Sequence, residues 1–328
     1  MGSLSKVKAL FGFTSPRTLE KIIPEVKLLA DFFSNHQWTG NNELQSLFFE
    51  RLFNSEFYEG DNYPSDPAFA ARDRITRAPK AFGFVDLNPK IKLTQAGKLL
   101  LEGKRIEETF TRQMLKFQLP SPYHTQSNTM EFSVKPYLEL LRLIKEVNSL
   151  SKTEIALFFS QLTNYKFFET IVAKILKFRS ESKSYTGSRK MYVSECFNNE
   201  ISEIFQQEIQ DKNLKTRESS DSSYIKFFKT KSSNMKGYAD AFVRYIRATG
   251  LVTFEKRTFR LVISPQKEEE VNYILSQIDR EPKEFENIHE FKKYLFDPYN
   301  INLFSDNKES LVKKIEGLGA NQFNKSSS

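Results

Sequence analysis

The sequence has little of the chemistry that builds disulfide or metal sites. It contains one cysteine, Cys196, and three histidines, His36, His124 and His289, which lie far apart. A single cysteine excludes an internal disulfide framework and a cysteine-rich zinc site, and scattered histidines indicate no local ligand pair. We therefore expect no metal ion and no small-molecule cofactor in this chain.

Long apolar runs and targeting signals are also missing. No stretch approaches the length of a membrane span, and the opening MGSLSK lacks the charged-then-apolar order of a secretory signal. Lys6 stands where a myristoylation signal has Ser or Thr. We expect a cytoplasmic protein that has no membrane partner.

Motifs for catalysis are sparse. The sequence has no phosphate-binding G-x-x-x-x-G-K-[ST] loop and no G-x-S-x-G elbow. Two formal matches to the paired carboxylates and lysine of metal-dependent nucleases occur, Asp86 with Glu102-Gly103-Lys104 and Asp279 with Glu290-Phe291-Lys292. Nucleases of this type carry these residues on neighbouring strands, whereas Glu102 is predicted at a helix end and the second match on helices. We therefore predict no catalytic residue and no metal ligand.

What the chain does have is apolar and aromatic residues and a positive charge. With 328 residues, 39% hydrophobic and 14% aromatic, it can form sizeable cores. Residues 66–105 hold nine Lys or Arg against four Asp or Glu, and residues 212–260 hold twelve against four. Because the net charge is +8, the remainder of the chain is acidic. Two concentrated basic regions favour a polyanion-binding face, and nucleic acid is the expected partner.

The first basic region reads as helix, hairpin, helix. Asp66 can cap a helix that starts at Pro67 and carries Arg72, Arg74 and Arg77, with Lys80 just beyond it. Alternating apolar residues on either side of an Asn88-Pro89 turn then predict a two-stranded hairpin, followed by a helix over 95–101. This order is typical of a winged helix-turn-helix, whose basic helix enters the DNA major groove. A basic exposed helix on any globular domain has the same pattern, and this alternative stays open.

The second basic region combines cations with hydroxyl groups. Residues 212–236 hold seven Lys or Arg and two acidic residues among many serines, a composition suited to clamping phosphates. A solvated loop would have the same composition, so both interpretations stay open here. The pattern predicts a helix over 238–249 and then a second hairpin around Lys256-Arg257.

We therefore predict a mainly α protein with small β-hairpins, an α+β class, built from tandem winged helix-turn-helix domains and a C-terminal helical linker. The predicted units are a first DNA-recognition domain at 1–130, a second at 131–265, and a helical linker at 266–328. The first boundary rests on the proline-rich and polar stretch LPSPYHTQSNT, and the last unit is acidic and helical.

Several long blocks resemble one family. They are SPRTLEKIIPEVKLLADF, AARDRITRAPKAFGFVDLNPKIKLTQAGKLLLEGKR, QMLKFQLPSPYH, SKTEIALFF, TRESSDSS and YADAFVRYIRATGLV. They recur in one order and resemble the amino-terminal part of the AlwI-type family of type IIS restriction and nicking endonucleases, and the resemblance extends over nearly all of residues 12–310. The resemblance implies recognition of a short asymmetric duplex DNA site, GAGTC-like, by a cytoplasmic bacterial protein.

The resemblance also implies a separate nuclease domain or subunit that uses Mg²⁺ and cuts outside the site. By this resemblance we expect this sequence to end within the linker, without counterparts of the nuclease carboxylates. Two alternatives remain, a winged-helix transcription regulator and a complete nuclease with a cryptic metal site. From the blocks and their chemistry, the candidate DNA-binding residues are Arg17, Arg72, Arg74, Arg77, Lys80, Arg217, Glu218, Ser219, Ser220, Asp221, Lys226, Lys229 and Lys231.

Overall fold

The computed structural model describes residues 2–3, 7–125, 132–216, 218–219 and 221–306. Within these ranges most regular structure is helical, and the strands occur as short pairs. This confirms the prediction of a mainly helical α+β protein with small antiparallel strand pairs. No helix in the described ranges is both long and apolar enough to cross a membrane.

The first half of the chain contains a helical cluster and a hairpin. Its elements are β1 Gly2–Ser3, α1 Ile22–Phe33, α2 Asn42–Phe53, α3 Pro67–Ile75, α4 Ala78–Ala81, β2 Val85–Asp86, β3 Lys92–Leu93, α5 Gln95–Leu101, α6 Ile106–Lys116 and β4 His124–Thr125. β2 and β3 pair antiparallel around the Asn88-Pro89 turn, as predicted, and β1 pairs in parallel with β4.

Local capping explains where the helices beside the hairpin begin. The Asp66 side chain accepts from the Phe69 N–H at 2.7 Å, and Pro67 occupies the first turn of α3. The Thr94 hydroxyl accepts from the Gly97 N–H at 2.9 Å at the start of α5. Both caps were visible in the sequence, which is why these two helix starts were predicted correctly.

The second half is also helical and carries a second hairpin. Its elements are α7 Pro136–Glu146, α8 Lys152–Leu157, α9 Phe168–Ser184, α10 Arg189–Ile204, α11 Gln206–Gln210, α12 Tyr224–Arg247, β5 Val252–Phe254, β6 Leu261–Ile263, α13 Glu268–Gln277 and α14 Ile288–Phe296. Short 3-10 turns lie at Phe159–Gln161, Tyr165–Phe167, Pro265–Lys267, Pro298–Asn300 and Phe304–Asp306. β5 and β6 pair antiparallel on either side of Lys256 and Arg257, as predicted.

The helix predicted over 238–249 is longer than expected. It begins at Tyr224, so the prediction of its start was wrong. Phe227, Met235 and Ala239 are buried along one face of α12. This helical spacing of apolar residues extends α12 toward its N-terminus, through a stretch whose charged and hydroxyl residues are also typical of a loop. The Lys226 N–H donates to the Ser223 hydroxyl at 3.3 Å, which caps the true start.

The two halves share one apolar core. The Phe82 ring lies 5.8 Å from the Tyr137 ring and 6.0 Å from the Tyr245 ring, measured between centroids. Residues 268–306, predicted as a linker, pack back on the first half, where Gln113 Nε2 donates to the Leu295 carbonyl at 2.7 Å. The predicted boundary near 130 lies outside the described residues, and the division into three units stays a prediction.

Candidate nucleic-acid interface

The basic helix α3 is attached to α1 and α2 by two of its arginines. Arg72 donates to the side-chain oxygens of Asn42 at 2.9 Å and Gln45 at 2.6 Å. Arg74 forms an ion pair with Glu25 of α1, and its Nε lies 2.9 Å from Glu25 Oε1. Much of the hydrogen-bonding capacity of both guanidinium groups is therefore used inside the protein.

The environment of Glu25 explains why Arg74 is held so firmly. The Glu25 side chain is 1% exposed, and its Oε2 has no hydrogen-bond partner among the described residues. Burial raises the pKa of Glu25, and the charge of Arg74 opposes that rise only in part. The Arg74 guanidinium also lies 5.3 Å from the Tyr58 ring centroid. Arg74 therefore compensates a buried carboxylate, a structural task that the sequence did not reveal.

The other cations of this region are more accessible. Arg17 is exposed, and the half-buried Arg77 pairs with Asp73 one turn before it on α3. The Lys80 ammonium lies 4.4 Å from the Tyr123 ring centroid, and burial lowers the pKa of Lys80. Arg17 and Arg77 thus keep the most freedom to contact a ligand, whereas Lys80 is partly packed into the protein.

An arm at residues 12–16, which lies in no helix or strand, joins this region to α12. Gly12 packs so closely on α12 that an added Cβ would come 2.9 Å from the Ala241 Cβ and 2.9 Å from the Tyr238 carbonyl oxygen. Four residues later, the Pro16 carbonyl accepts from the Tyr245 hydroxyl at 2.6 Å. A side chain at position 12 would therefore displace the arm from α12.

The arm brings cations of the two basic regions near each other. Burial raises the pKa of Tyr245 on α12, while the nearby positive charges of Arg244, Arg74 and Arg77 act to lower it. Arg77 Nη1 also lies 3.5 Å from the Thr14 hydroxyl of the arm. Arg74, Arg77 and Arg244 therefore all lie near enough to Tyr245 to affect its pKa, although they are distant in sequence.

The loop before α12 holds several of the candidate residues. Arg217 and Ser220 lie outside the described residues. Glu218 accepts from Asn234 of α12 at 3.2 Å, and Ser219 accepts from the Asp221 N–H at 3.2 Å. The Asp221 carboxylate is exposed and accepts from the Ser223 N–H at 2.8 Å, a bond that lowers the pKa of Asp221. Asp221 is thus an ionised acceptor at neutral pH.

The three candidate lysines of α12 have different surroundings. Lys229 is exposed and Lys226 is half-buried. The Lys231 ammonium lies 4.2 Å from the Phe205 ring centroid and 5.2 Å from that of Phe227, and burial lowers the pKa of Lys231. Lys231 therefore packs across aromatic rings, whereas Lys229 is free to meet an anion.

A cleft of about 900 Å³ lies between α10 and α12. Its lining includes four cations, Arg189, Lys190, Lys229 and Lys236, and no Asp or Glu among the described residues. Serine and asparagine side chains also line the cleft, together with apolar side chains such as Val193, Phe197 and Phe228. Cations and hydroxyl groups in such a lining can bind phosphate oxygens.

Besides Lys236, the candidate residues omit two cleft cations at the start of α10, Arg189 and Lys190. Their signal was a Ser-Arg-Lys run in which Ser188 caps α10, and the Met191 N–H donates to the Ser188 hydroxyl at 3.2 Å. Nothing in the sequence showed that the start of α10 would face α12. Their place in the cleft is a consequence of tertiary packing.

The described residues do not fit the metal site of a nuclease. Among them, no group of three or more His, Cys, Asp or Glu is placed to hold a metal ion. Both Asp86 oxygens accept from Lys292, so residues from the two formal sequence matches bind each other. Glu102 lies at the C-terminal cap of α5. The donor set is unsuited to Mg²⁺, and we assign no hydrolytic step to these residues.

Comparison with known proteins points to restriction enzymes. The family model described as AlwI restriction endonuclease matches residues 80–325. The chain also resembles a solved structure, the BpuJ1 endonuclease binding domain in complex with pyrene- and phenanthrene-modified DNA. That match has a TM-score of 0.54 and 14% identity, and it covers 89% of this chain and 96% of the other. At this identity the likeness shows a shared fold. A comparison with curated proteins gives no match.

Proposed function

The chain belongs to the AlwI restriction endonuclease family, and we propose that it is the part of such an enzyme that recognises duplex DNA. In this proposal the site is short and asymmetric, GAGTC-like, and the parent enzyme is of type IIS, cutting or nicking outside it. A nuclease domain or subunit would supply the Mg²⁺ chemistry. The fold shared with the BpuJ1 binding domain, which was solved with modified DNA, supports a DNA partner.

The observation that carries the proposal is the meeting of the two basic regions at the arm. Tyr245 of α12 donates to the Pro16 carbonyl. Arg77, which precedes α4 and does not lie on α3 as the sequence predicted, is within hydrogen-bonding reach of the arm at Thr14. Cations from the two basic regions thus lie beside the same arm, and such a concentration of positive charge favours a polyanion. In the proposal, α3 and α12, each with the hairpin that follows it, act as winged-helix units.

Accessible arginines of the first region are proposed to read bases. Arg17 and Arg77 would donate to guanine through bidentate bonds, each worth about 1–3 kcal/mol of discrimination. Arg72 keeps donors beyond those that bind Asn42 and Gln45 and could reach the same groove. For Arg74 we propose a positioning role in place of a base contact, since Glu25 already holds its guanidinium. Lys80 would contact the backbone.

The second region is proposed to hold phosphates and to read one further base. Lys226 and Lys229 would bind backbone oxygens, and Lys231 would support them from its place on the aromatic rings. Asp221 or Glu218 would accept from a cytosine amino group. Arg217, Ser219 and Ser220 neighbour Glu218 and Asp221 in sequence and would contact the DNA backbone.

Selection of bound duplexes from a random pool tests the proposal. The purified chain should enrich one short asymmetric sequence, and binding should weaken steeply with added salt. A palindromic consensus would instead indicate a dimeric transcription regulator. Enrichment of no sequence at any salt concentration would overturn the assignment.

A further inference from the structure

The hairpin β5–β6 presents an aromatic ring to solvent at its tip. Phe259 is 74% exposed and makes no ring contact with another described residue. An isolated phenylalanine at such a position gains nothing from folding, because its apolar surface stays in water. The fold therefore supplies no packing partner for this ring among the described residues.

The backbone at Phe259 gives a second, independent observation. Its φ angle is 53°, in the left-handed region that glycine and asparagine adopt far more easily than a bulky residue. The turn keeps this conformation through two backbone bonds of 2.9 Å, from the Glu255 N–H to the Arg260 carbonyl and from the Phe259 N–H to the Glu255 carbonyl. The chain thus carries a strained phenylalanine where glycine would fit better.

The base of the hairpin is fixed to the body of the protein. Arg260 Nε donates to the Ser149 hydroxyl at 2.8 Å, and its guanidinium pairs with the buried Glu154. Burial alone would raise the pKa of Glu154, but hydrogen bonds from Arg179 and Ser151 and the nearby cations bring it below its usual value. Glu154 therefore stays charged, and its ion pair with Arg260 fixes the base of the hairpin to α8.

The charged residues beside the Phe259 ring indicate which class of molecule it contacts. Lys256 and Arg257 are exposed on the same turn, and neither forms an ion pair with another described residue. A protein interface needs roughly 800 Å² on each side, which a turn with one apolar residue cannot provide. A single apolar side chain flanked by cations suits a nucleic-acid groove, where such residues insert between base steps.

We propose that Phe259 is a wedge that enters a groove of the bound duplex and partly unstacks one base step, while Lys256 and Arg257 hold the flanking phosphates. This inference rests on the proposed duplex binding and adds to it a deformation of the DNA. Because unstacking costs differ between base steps, the wedge would contribute to sequence preference without a hydrogen bond to a base.

The test uses the full chain with a duplex of about 30 base pairs that carries the selected site. Dyes at the two ends report bending, and 2-aminopurine placed at successive steps reports unstacking. The wild type should bend the duplex and raise 2-aminopurine fluorescence at one step. Phe259→Ala should remove that rise, reduce the bend and weaken binding about tenfold. Phe259→Leu keeps an apolar side chain and should retain most of the effect.

Tyr299→Ala is the matched control, because Tyr299 is an aromatic residue of the C-terminal segment and 58% exposed. It should leave bend, fluorescence and affinity unchanged. If Phe259→Ala binds and bends the duplex as the wild type does, the wedge is refuted while duplex binding stands. If the wild type binds no duplex, the proposed function fails and the wedge fails with it.

Discussion

Lys292 and Asp86 are 206 positions apart in sequence, yet the Lys292 ammonium donates to both oxygens of the Asp86 carboxylate at 2.8 Å. The same ammonium also donates to the Asn88 carbonyl at 3.0 Å. Both side chains are mostly buried, so solvent screens the pair less than it would a surface salt bridge. Helix α14 is thereby attached to the first hairpin.

Breaking this pair should loosen the C-terminal segment. We expect Lys292→Ala to lower the free energy of unfolding by about 1–3 kcal/mol, because it leaves the Asp86 carboxylate with one partner fewer. The double variant Asp86→Ala with Lys292→Ala should lose less than the sum of the two single changes. Urea unfolding of the four proteins measures the coupling. Additive losses would show that the pair contributes nothing.

Removing Arg74 should destabilise the protein in a pH-dependent way. Arg74→Ala leaves Glu25 buried without its cation, and we expect a loss of about 3 kcal/mol at neutral pH. Because burial raises the pKa of Glu25 in the folded state, the variant should regain stability as the pH falls and Glu25 takes up a proton.

Thermal unfolding at several pH values measures this recovery. Glu25→Gln in the Arg74→Ala background is the control, since it removes the titrating group and should flatten the pH dependence. The same loss at every pH in Arg74→Ala alone would contradict a role of Arg74 in compensating Glu25.

Two cation variants should separate base reading from backbone binding. Arg77→Ala should relax sequence preference, while Lys229→Ala should weaken binding to all duplexes alike and lower the slope of log affinity against log salt by about 1. Lys27→Ala, on an exposed pair of α1 with Asp31, is the control and should change neither. Titrations of specific and random duplexes at several salt concentrations decide the matter. Identical behaviour of the Arg77 and Lys229 variants would refute the division of roles.

Lys116 should make stability rise with pH above neutrality. Its ammonium is buried, donates to Gln113 Oε1 at 3.0 Å and to the Asp297 carbonyl, and burial lowers the pKa of Lys116 to about 7. Above this pH the unfolded chain binds more protons than the folded one, so the free energy of unfolding increases. The contribution is greatest above the unfolded pKa and has gone once the pH falls below about 7.

A Lys116→Met variant tests this expectation. It cannot titrate, so its unfolding free energy should rise less than that of the wild type between about pH 7 and 9. Chemical denaturation at each pH provides the comparison. Parallel curves for the two proteins would show that Lys116 keeps an ordinary pKa.

Much of the local structure could be predicted because short-range chemistry decides it. Asp66 and Thr94 cap helices with their own side chains, and the turn at Asn88-Pro89 separates two alternating runs. The start of α12 was missed because the charges and hydroxyls of the stretch concealed the apolar spacing around Phe227 and Met235. Helix propensity is a weak prior that tertiary burial overrides.

By itself the sequence determined the starts of α3 and α5, the two hairpins, the excess of positive charge in two regions and the resemblance to a restriction family. These depend on residue type and spacing, which are properties of the chain alone. Only the tertiary structure decided which cations are accessible. It placed Arg74 against the buried Glu25 and Lys231 over aromatic rings, and it left Arg17, Lys229 and Phe259 exposed to solvent. The reason is that packing between elements remote in sequence sets two quantities, the distance from each charged group to its partner and the amount of water that remains around the charge.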